Sequence, residues 1–273
     1  MTRTKIADLI VERLTEAQAD AAAQFQGSST AIGHFVVDEL LPEALALQIH
    51  EAFPDNRDMT LKKSIREYKH IAAQMDQYNP ILEEAIYAFQ DPRVVALVHE
   101  ITGITGLEPD ENLYAGGISA MAQGNFLNPH LDNSHDKDRN KWRVLNLLFY
   151  VTPDWKDQYG GHLELWPDGV KKPQITLHSR FNRLAVMATH QKSWHSVSPV
   201  AHQGTRQCVS NYYFSDTALT PEDRFHVTSF RGRPDQKLRD LVLQLDAKAR
   251  MALRKVFKKG VRENPHVYKK DQS

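Results

Sequence analysis

The residues best suited to chemistry in this chain are two histidines, one aspartate and one arginine. His130 and Asp132 stand two residues apart, His195 follows downstream, and Arg206 comes shortly after it. Two imidazoles and a carboxylate can occupy one face of an octahedral ferrous ion and leave the opposite face open for a substrate and dioxygen. A guanidinium close to such an ion can hold a dicarboxylate as a two-pronged fork. We therefore interpret the first three residues as candidate catalytic metal ligands and the arginine as a candidate anion clamp.

The spacing of His130 and Asp132 has little weight by itself. A chain with 13 histidines contains such a triplet by chance, and a comparable one, His162–Glu164, also occurs. We interpret Glu164 as a structural residue, because it follows a Gly-Gly turn and stands apart from the other candidate ligands. The metal hypothesis depends on the surrounding elements.

Those elements are short predicted strands separated by glycine and proline. For about a hundred residues no helical period appears, which is typical of an all-β double sheet such as a jelly roll. Side chains alternate between the two faces of a strand, so His130 and Asp132 are expected to point the same way, into the barrel. The predicted strands cover Ile118–Phe126, Val144–Val151, Leu163–Trp166, Arg183–Ala188 and Arg206–Phe214.

These segments carry a resemblance to a known family. Residues 113 to 216 resemble the catalytic core of the Fe(II)/2-oxoglutarate-dependent oxygenases, in particular the prolyl-4-hydroxylase-like branch. A weaker similarity at His34–Pro42 resembles the strand-then-helix entry of such enzymes. The matching pieces, in the family's order and spacing, are Pro129–Asp132, Arg143–Tyr150, Gly160–Leu165 and Trp194–Arg206.

The resemblance implies a double-stranded β-helix (jelly-roll) core with flanking helices, and it assigns roles to the candidate residues. His130, Asp132 and His195 would be the metal ligands, and Arg206 would pair with the distal carboxylate of 2-oxoglutarate. Asn146 falls where the family places a polar inward residue near that carboxylate. A buried amide must be hydrogen-bonded, so a turn cap or a bond to a neighbouring strand is the alternative for Asn146.

The implied cofactors are Fe(II), 2-oxoglutarate as co-substrate and dioxygen, with ascorbate as an optional addition. The implied reaction converts 2-oxoglutarate to succinate and carbon dioxide while an unactivated C–H bond is hydroxylated. Related halogenases replace the metal-binding carboxylate with a small residue, so Asp132 favours hydroxylation. The branch often has tyrosine three residues before the first histidine, where this chain has Leu127. A co-substrate contact from that position is therefore not carried over.

Two other functions stay open at this point. A peptidyl-prolyl or protein hydroxylase would use the same residues on a different substrate. A non-catalytic cupin-like binding module would share the fold but would have no reason to keep His130, Asp132 and Arg206 together. We expect a small-molecule substrate, or a saccharide- or lipid-linked one, and no nucleic-acid partner.

Composition is typical of a globular enzyme. The chain has 273 residues, 41% of them hydrophobic, and a net charge of zero, which gives no global attraction to nucleic acid. Its single cysteine, Cys208, excludes an internal disulfide and suits a reducing compartment. The sequence shows neither a secretory leader nor an apolar run long enough to cross a membrane, and a cytoplasmic location is expected.

Upstream of the core the sequence predicts helices that pack on the outside of the larger sheet. Pro42–Phe53 reads as one helix with proline in its first turn, and Asn79–Ile101 reads as two more. Between them Lys62–His70 is basic. It can border the mouth of the site and meet an anionic substrate, although a solvated helix face is the preferred interpretation.

The C-terminal part of the chain is strongly basic. From Arg231 to Ser273 there are thirteen Lys and Arg against five Asp and Glu. Such a helix can lie on an anionic membrane or bind nucleic acid, but we expect its apolar stripe to dock on its own domain. The sequence thus divides into an N-terminal region (1–112), a jelly-roll core (113–230) and a basic extension (231–273). The stripe consists of Leu238, Leu241, Val242, Leu245, Ala249, Leu253, Val256 and Phe257, with Gly260 and Pro265 ending the pattern.

Overall fold

The structure, a computed structural model, describes residues 1–256 and 267–269. Within them are five α-helices and three short 3₁₀ turns. The helices predicted from Pro42–Phe53 and Asn79–Ile101 are present as α2, α3 and α4. The α-helices are α1 (Arg3–Ser28), α2 (Glu43–Glu51), α3 (Pro80–Ala88), α4 (Pro92–Thr102) and α5 (Lys237–Val256), and the 3₁₀ turns are Asn56–Asp58, Met75–Gln77 and Asp157–Tyr159.

Thirteen strands in the described residues form one continuous antiparallel sheet that curls into a nearly closed barrel. The larger half runs β1-β10-β7-β12-β5, and β3 links it to the smaller half, β6-β11-β8-β9. The strands are β1 (His34–Val37), β2 (Thr60–Lys63), β3 (Glu67–Ala72), β4 (Glu108–Pro109), β5 (Gly117–Ala122), β6 (Phe126–Leu131), β7 (Trp142–Tyr150), β8 (Leu163–Leu165), β9 (Ile175–Leu177), β10 (Arg183–Ala188), β11 (His195–Val197), β12 (Thr205–Ser215) and β13 (Ser229–Phe230).

The predicted fold class, mainly β with a jelly-roll core and flanking helices, is confirmed. Helices α1 to α4 contribute to one apolar cluster with side chains of the larger half, including Val144 and Val186. Along α1, Ile6, Ile10 and Leu14 recur at helical spacing and are fully buried. The larger half is thereby covered on the outside, and its inner face, opposite the smaller half, is left to build the site. The three-part division of the chain at residues 112 and 230 stays a prediction.

The interpretation of Lys62–His70 as a solvated helix is wrong. This segment forms most of a hairpin, in which β2 pairs with β3 and β3 continues against β5 and β6. Local sequence favours no strand here, but the pairing with β5 and β6 supplies the missing stabilisation. The hairpin places basic side chains at the mouth of a cavity, which was the second interpretation of the segment.

The expected docking of the C-terminal apolar stripe on its own domain is also wrong for the residues that the structure describes. Leu243, which is not part of the stripe, is fully buried. The stripe residues Leu238, Leu241, Val242, Leu245 and Leu253 are exposed. The polar residues of the helix face the domain instead, because Asp240 and Asp246 find arginine partners there. Phe257, Gly260 and Pro265 lie outside the described residues.

None of the helices in the described part of the chain is both long and apolar enough to cross a membrane.

Candidate active site

The two candidate histidines are directly opposite each other in the sheet. His130 on β6 pairs in register with His195 on β11, and their ring centroids are 4.1 Å apart. Asp132 follows one residue after the end of β6. Its two carboxylate oxygens lie 3.6 Å from Nε2 of His130 and 3.6 Å from Nε2 of His195. The antiparallel register of two neighbouring strands therefore gathers three donor groups from distant parts of the chain.

Backbone contacts fix the orientation of both rings. Nδ1 of His130 lies 3.0 Å from the carbonyl oxygen of Asn128, and Nδ1 of His195 lies 2.9 Å from that of Ser193. A carbonyl oxygen can only accept, so each Nδ1 carries a proton and each Nε2 is the ring nitrogen left to face a metal ion. Burial lowers the pKa of His195 to about 4, which keeps this ring neutral at physiological pH.

Asp132 is held as a carboxylate. Burial alone would raise its pKa, but the Arg143 guanidinium and the two imidazoles outweigh this effect, and the pKa lies well below its usual range. One Arg143 nitrogen lies 3.4 Å from Oδ2, and Nδ2 of Asn146 donates a hydrogen bond of 2.8 Å to the same oxygen. Arg143 itself is buried, with its guanidinium 4.6 Å from the ring centroid of Tyr212.

This donor set suits a divalent transition metal. Two neutral imidazole nitrogens and one carboxylate oxygen, all within 4.8 Å of one another, converge on one point. Ligands about 2.1 Å from an ion and at right angles are about 3 Å apart, so separations of 3.6 Å need only a small contraction. Two nitrogens and one oxygen on one face are the ligand type of non-haem ferrous sites.

A buried arginine without a carboxylate partner lies elsewhere in the same cavity. Arg206 on β12 is 3% exposed, and its Nε donates a hydrogen bond of 3.0 Å to the carbonyl oxygen of Gly161. Among the residues that the structure describes, it forms no ion pair. Its guanidinium carbon lies 5.0 Å from the ring centroid of Tyr150. A buried cation is expected to be paired, so this one is available for the carboxylate of a bound ligand.

The cavity that joins these groups has a volume of about 650 Å³. Six of its lining residues are Lys or Arg, and two are acidic. Its walls mix polar and apolar side chains and come from both halves of the barrel. The charged lining residues are Lys62, Arg66, Lys69, Arg143, Arg206, Arg250, Glu67 and Asp132, and the apolar ones include Met121, Leu127, Leu148, Leu163 and Val197.

Asn146 contacts a candidate metal ligand, and its expected place near the carboxylate of 2-oxoglutarate stays a prediction. It lies at the metal end of the cavity, bonded to Asp132. Tyr150, four residues along β7 and so about 13 Å away, occupies the position beside Arg206. Leu127, which stands where the related enzymes often have a tyrosine, lines the cavity.

The sequence analysis did not single out Arg143 or Tyr150. Arg143 carried a signal, since a lone charge at the head of the apolar run Val144–Val151 needs a buried partner. Glu164 lies outside the donor cluster. Its carboxylate accepts hydrogen bonds from Ser196 at 2.6 Å and from Arg233 at 2.8 Å, as befits a structural residue.

One family model matches the part of the chain that contains the site. Residues 116–214 match the model of the 2OG-Fe(II) oxygenase superfamily. No curated protein sequence matches the chain.

Solved structures share the fold at low sequence identity. Prolyl 4-hydroxylase from Phytophthora capsici superposes with a TM-score of 0.56 at 16% identity, covering 93% of this chain and 80% of that one. The carbocyclase SnoK of nogalamycin biosynthesis gives 0.53 at 14% identity, with coverage of 80% and 88%. The prolyl hydroxylase of Trichoplax adhaerens, solved with a hypoxia inducible factor peptide, gives 0.51 at 16%, with coverage of 74% and 92%.

The family match over residues 116–214 and the His130–Asp132–His195 cluster support an oxygenase that uses Fe(II) and 2-oxoglutarate.

Proposed function

We propose that this protein is a 2-oxoglutarate-dependent dioxygenase that hydroxylates an unactivated C–H bond of an anionic substrate. His130, Asp132 and His195 hold Fe(II), and Arg206 binds the distal carboxylate of 2-oxoglutarate. The observation that carries the proposal is the pairing, in one cavity, of a three-donor metal cluster with a buried arginine that no described carboxylate neutralises.

Two neighbours refine these roles. The hydrogen bond from Asn146 and the charge of Arg143 orient Asp132 and keep it ionised, which preserves its affinity for a cation. Tyr150 lies beside Arg206 in an environment that raises the pKa of its hydroxyl through burial, so the phenol stays neutral and can donate to the same carboxylate. When bound, Fe(II) and 2-oxoglutarate supply the oxidising chemistry, with succinate and carbon dioxide as co-products.

The residues of the chain supply position and selectivity. Apolar side chains such as Leu148, Leu163 and Val197 on the cavity wall limit the number of polar contacts open to water beside the bound reactants. Nearer the mouth, Lys62, Arg66 and Arg250 line the cavity. Asp246 pairs with both arginines, so the net charge there stays positive and favours a substrate that carries a carboxylate, phosphate or sulfate.

Metal and co-substrate binding without air test the proposal. The purified protein should bind one Fe(II) per chain, and added 2-oxoglutarate should then give the weak visible charge-transfer band of chelated ferrous iron. Alanine at His130, Asp132 or His195 should remove the band. Full iron affinity in all three variants would refute the ligand assignment.

A further inference from the structure

Helix α5 turns Asp240, Asp246 and Arg250 toward the domain and leaves most of its apolar side chains exposed to solvent. Asp240 accepts hydrogen bonds of 2.6 and 2.8 Å from Arg231, and Asp246 accepts one of 2.5 Å from Arg66. Arg250 reaches the carbonyl oxygen of Thr228 at 2.6 Å. The opposite face holds Leu238 (83% exposed), Leu241 (57%), Val242 (51%), Leu245 (59%) and Leu253 (51%). An apolar face of this size on a helix anchored through its polar face is available for a partner outside the described domain.

This face borders the mouth of the active-site cavity. Leu253 and Arg250 line the cavity from the α5 side. Arg66, at the turn of the β2–β3 hairpin, lines it from the other side and is the residue that pairs with Asp246. Ile65 at the same turn is 47% exposed. We call the exposed apolar residues of α5 together with Ile65 the apolar rim.

The charge around the apolar rim is positive. The solvent side of α5 carries Lys237 and Lys248, whereas both acidic residues of the helix, Asp240 and Asp246, are engaged by arginines on the domain side. Lys62 adds a further cation at the cavity mouth. The partner of the rim therefore has to offer both an apolar phase and negative charge.

We propose that the apolar rim binds the surface of an anionic lipid bilayer. Leucine side chains of a surface helix enter the boundary between headgroups and acyl chains, and flanking lysines bind the phosphates. A second copy of this chain fits less well, because a two-fold contact sets each surface against itself and brings the lysines of both copies together. The cavity mouth then faces the headgroups, where the enzyme would meet its substrate. This last point rests on the proposed oxygenase function.

Vesicle sedimentation tests this proposal with iron-free protein, so the result is independent of the proposed catalysis. The full chain is mixed with vesicles of phosphatidylcholine alone or of phosphatidylcholine with phosphatidylglycerol. We expect binding to the mixed vesicles that weakens with salt, and far less to phosphatidylcholine alone. Leu241→Gln with Leu245→Gln should weaken binding about tenfold or more. Lys237→Gln with Lys248→Gln should weaken it about fivefold for each lysine.

The matched control is Ile175→Gln, because Ile175 is 42% exposed on β9 and does not line the mouth. This variant should bind like the unmodified protein, and all variants should keep its thermal unfolding temperature, since every changed side chain is exposed. Sedimentation velocity without vesicles gives the oligomeric state.

Two results would overturn the proposal. One is a failure of the unmodified protein to sediment with the mixed vesicles. The other is equal binding by the double-leucine variant. A dimer in vesicle-free buffer that the leucine substitutions dissociate, together with no vesicle binding, would assign the rim to a second copy.

Discussion

Two buried arginines line the same cavity, and their partners distinguish their roles. Arg143 lies 3.4 Å from Asp132, so its charge is used inside the protein. Arg206 has no carboxylate partner among the described residues, and its one hydrogen bond goes to a backbone carbonyl. Arg180 and Arg183, two arginines earlier in the chain, are paired with Asp157 and Asp38. Arg206 is therefore the cation that a dicarboxylate would neutralise.

Arg206→Ala should leave Fe(II) binding largely unchanged and weaken the binding of 2-oxoglutarate. Removing one partner of a buried charge pair costs roughly 2–5 kcal/mol, or about 30- to several-thousand-fold in affinity. Anaerobic titration of the charge-transfer band gives both constants. Arg180→Ala is the control, since that side chain is 53% exposed, and it should change neither. An unchanged 2-oxoglutarate constant in Arg206→Ala would mean that another cation holds the co-substrate.

Asn146→Ala should lower the affinity for Fe(II) rather than for 2-oxoglutarate. The substitution removes the 2.8 Å hydrogen bond to Asp132, and losing such a support of a ligand typically costs about 10- to 100-fold in metal affinity. Competition with a chelator measures the iron constant. A selective loss of 2-oxoglutarate binding would instead support the role that the sequence resemblance implies.

At the scale of elements, the sequence predicted what depends on local pattern. Helices α2 to α4 and the strands β7, β8, β10 and β12 follow from apolar periodicity, glycine and proline. The hairpin of β2 and β3 does not, because its strands are stabilised by β5 and β6, which are distant in sequence. For α5, periodicity predicts the helix but not which face meets the domain, since that depends on Arg66 and Arg231. The pairing of His130 with His195 likewise needs the register of two strands far apart in the chain.

Acid should loosen the attachment of α5. Hydrogen bonds from Arg231 hold the pKa of Asp240 below its usual range, so this pair stabilises the folded state above the unfolded pKa of about 3.9. The stabilisation is lost as the pH falls through the lower, folded pKa. The unfolding temperature should be measured from neutral to acidic pH. Asp240→Asn should unfold at a lower temperature than the unmodified protein at neutral pH, and this difference in unfolding temperature should shrink in acid. A difference that stays constant would contradict this role.

At the scale of the whole molecule, the barrel places a cationic mouth at one end of a cavity. The same cavity holds the three candidate metal ligands and Arg206. In the proposed site Asp132 fills the ligand position that a halide would need, so the product should be hydroxylated even in high chloride. Once a substrate is identified, mass spectrometry of the product should show the gain of one oxygen atom. A dominant chlorinated product would contradict hydroxylation, and loss of two hydrogens would indicate desaturation at the same site.

The central claim is tested most directly by the fate of dioxygen. The protein is incubated with Fe(II), 2-oxoglutarate and isotopically labelled dioxygen, and the succinate is analysed by mass spectrometry. Oxidative decarboxylation at the proposed site predicts succinate that carries one labelled oxygen atom, with none formed by Asp132→Ala or Arg206→Ala at limiting 2-oxoglutarate. Unlabelled succinate, or labelled succinate formed equally by both variants, would contradict the assignment of this cavity as a 2-oxoglutarate-dependent oxygenase site.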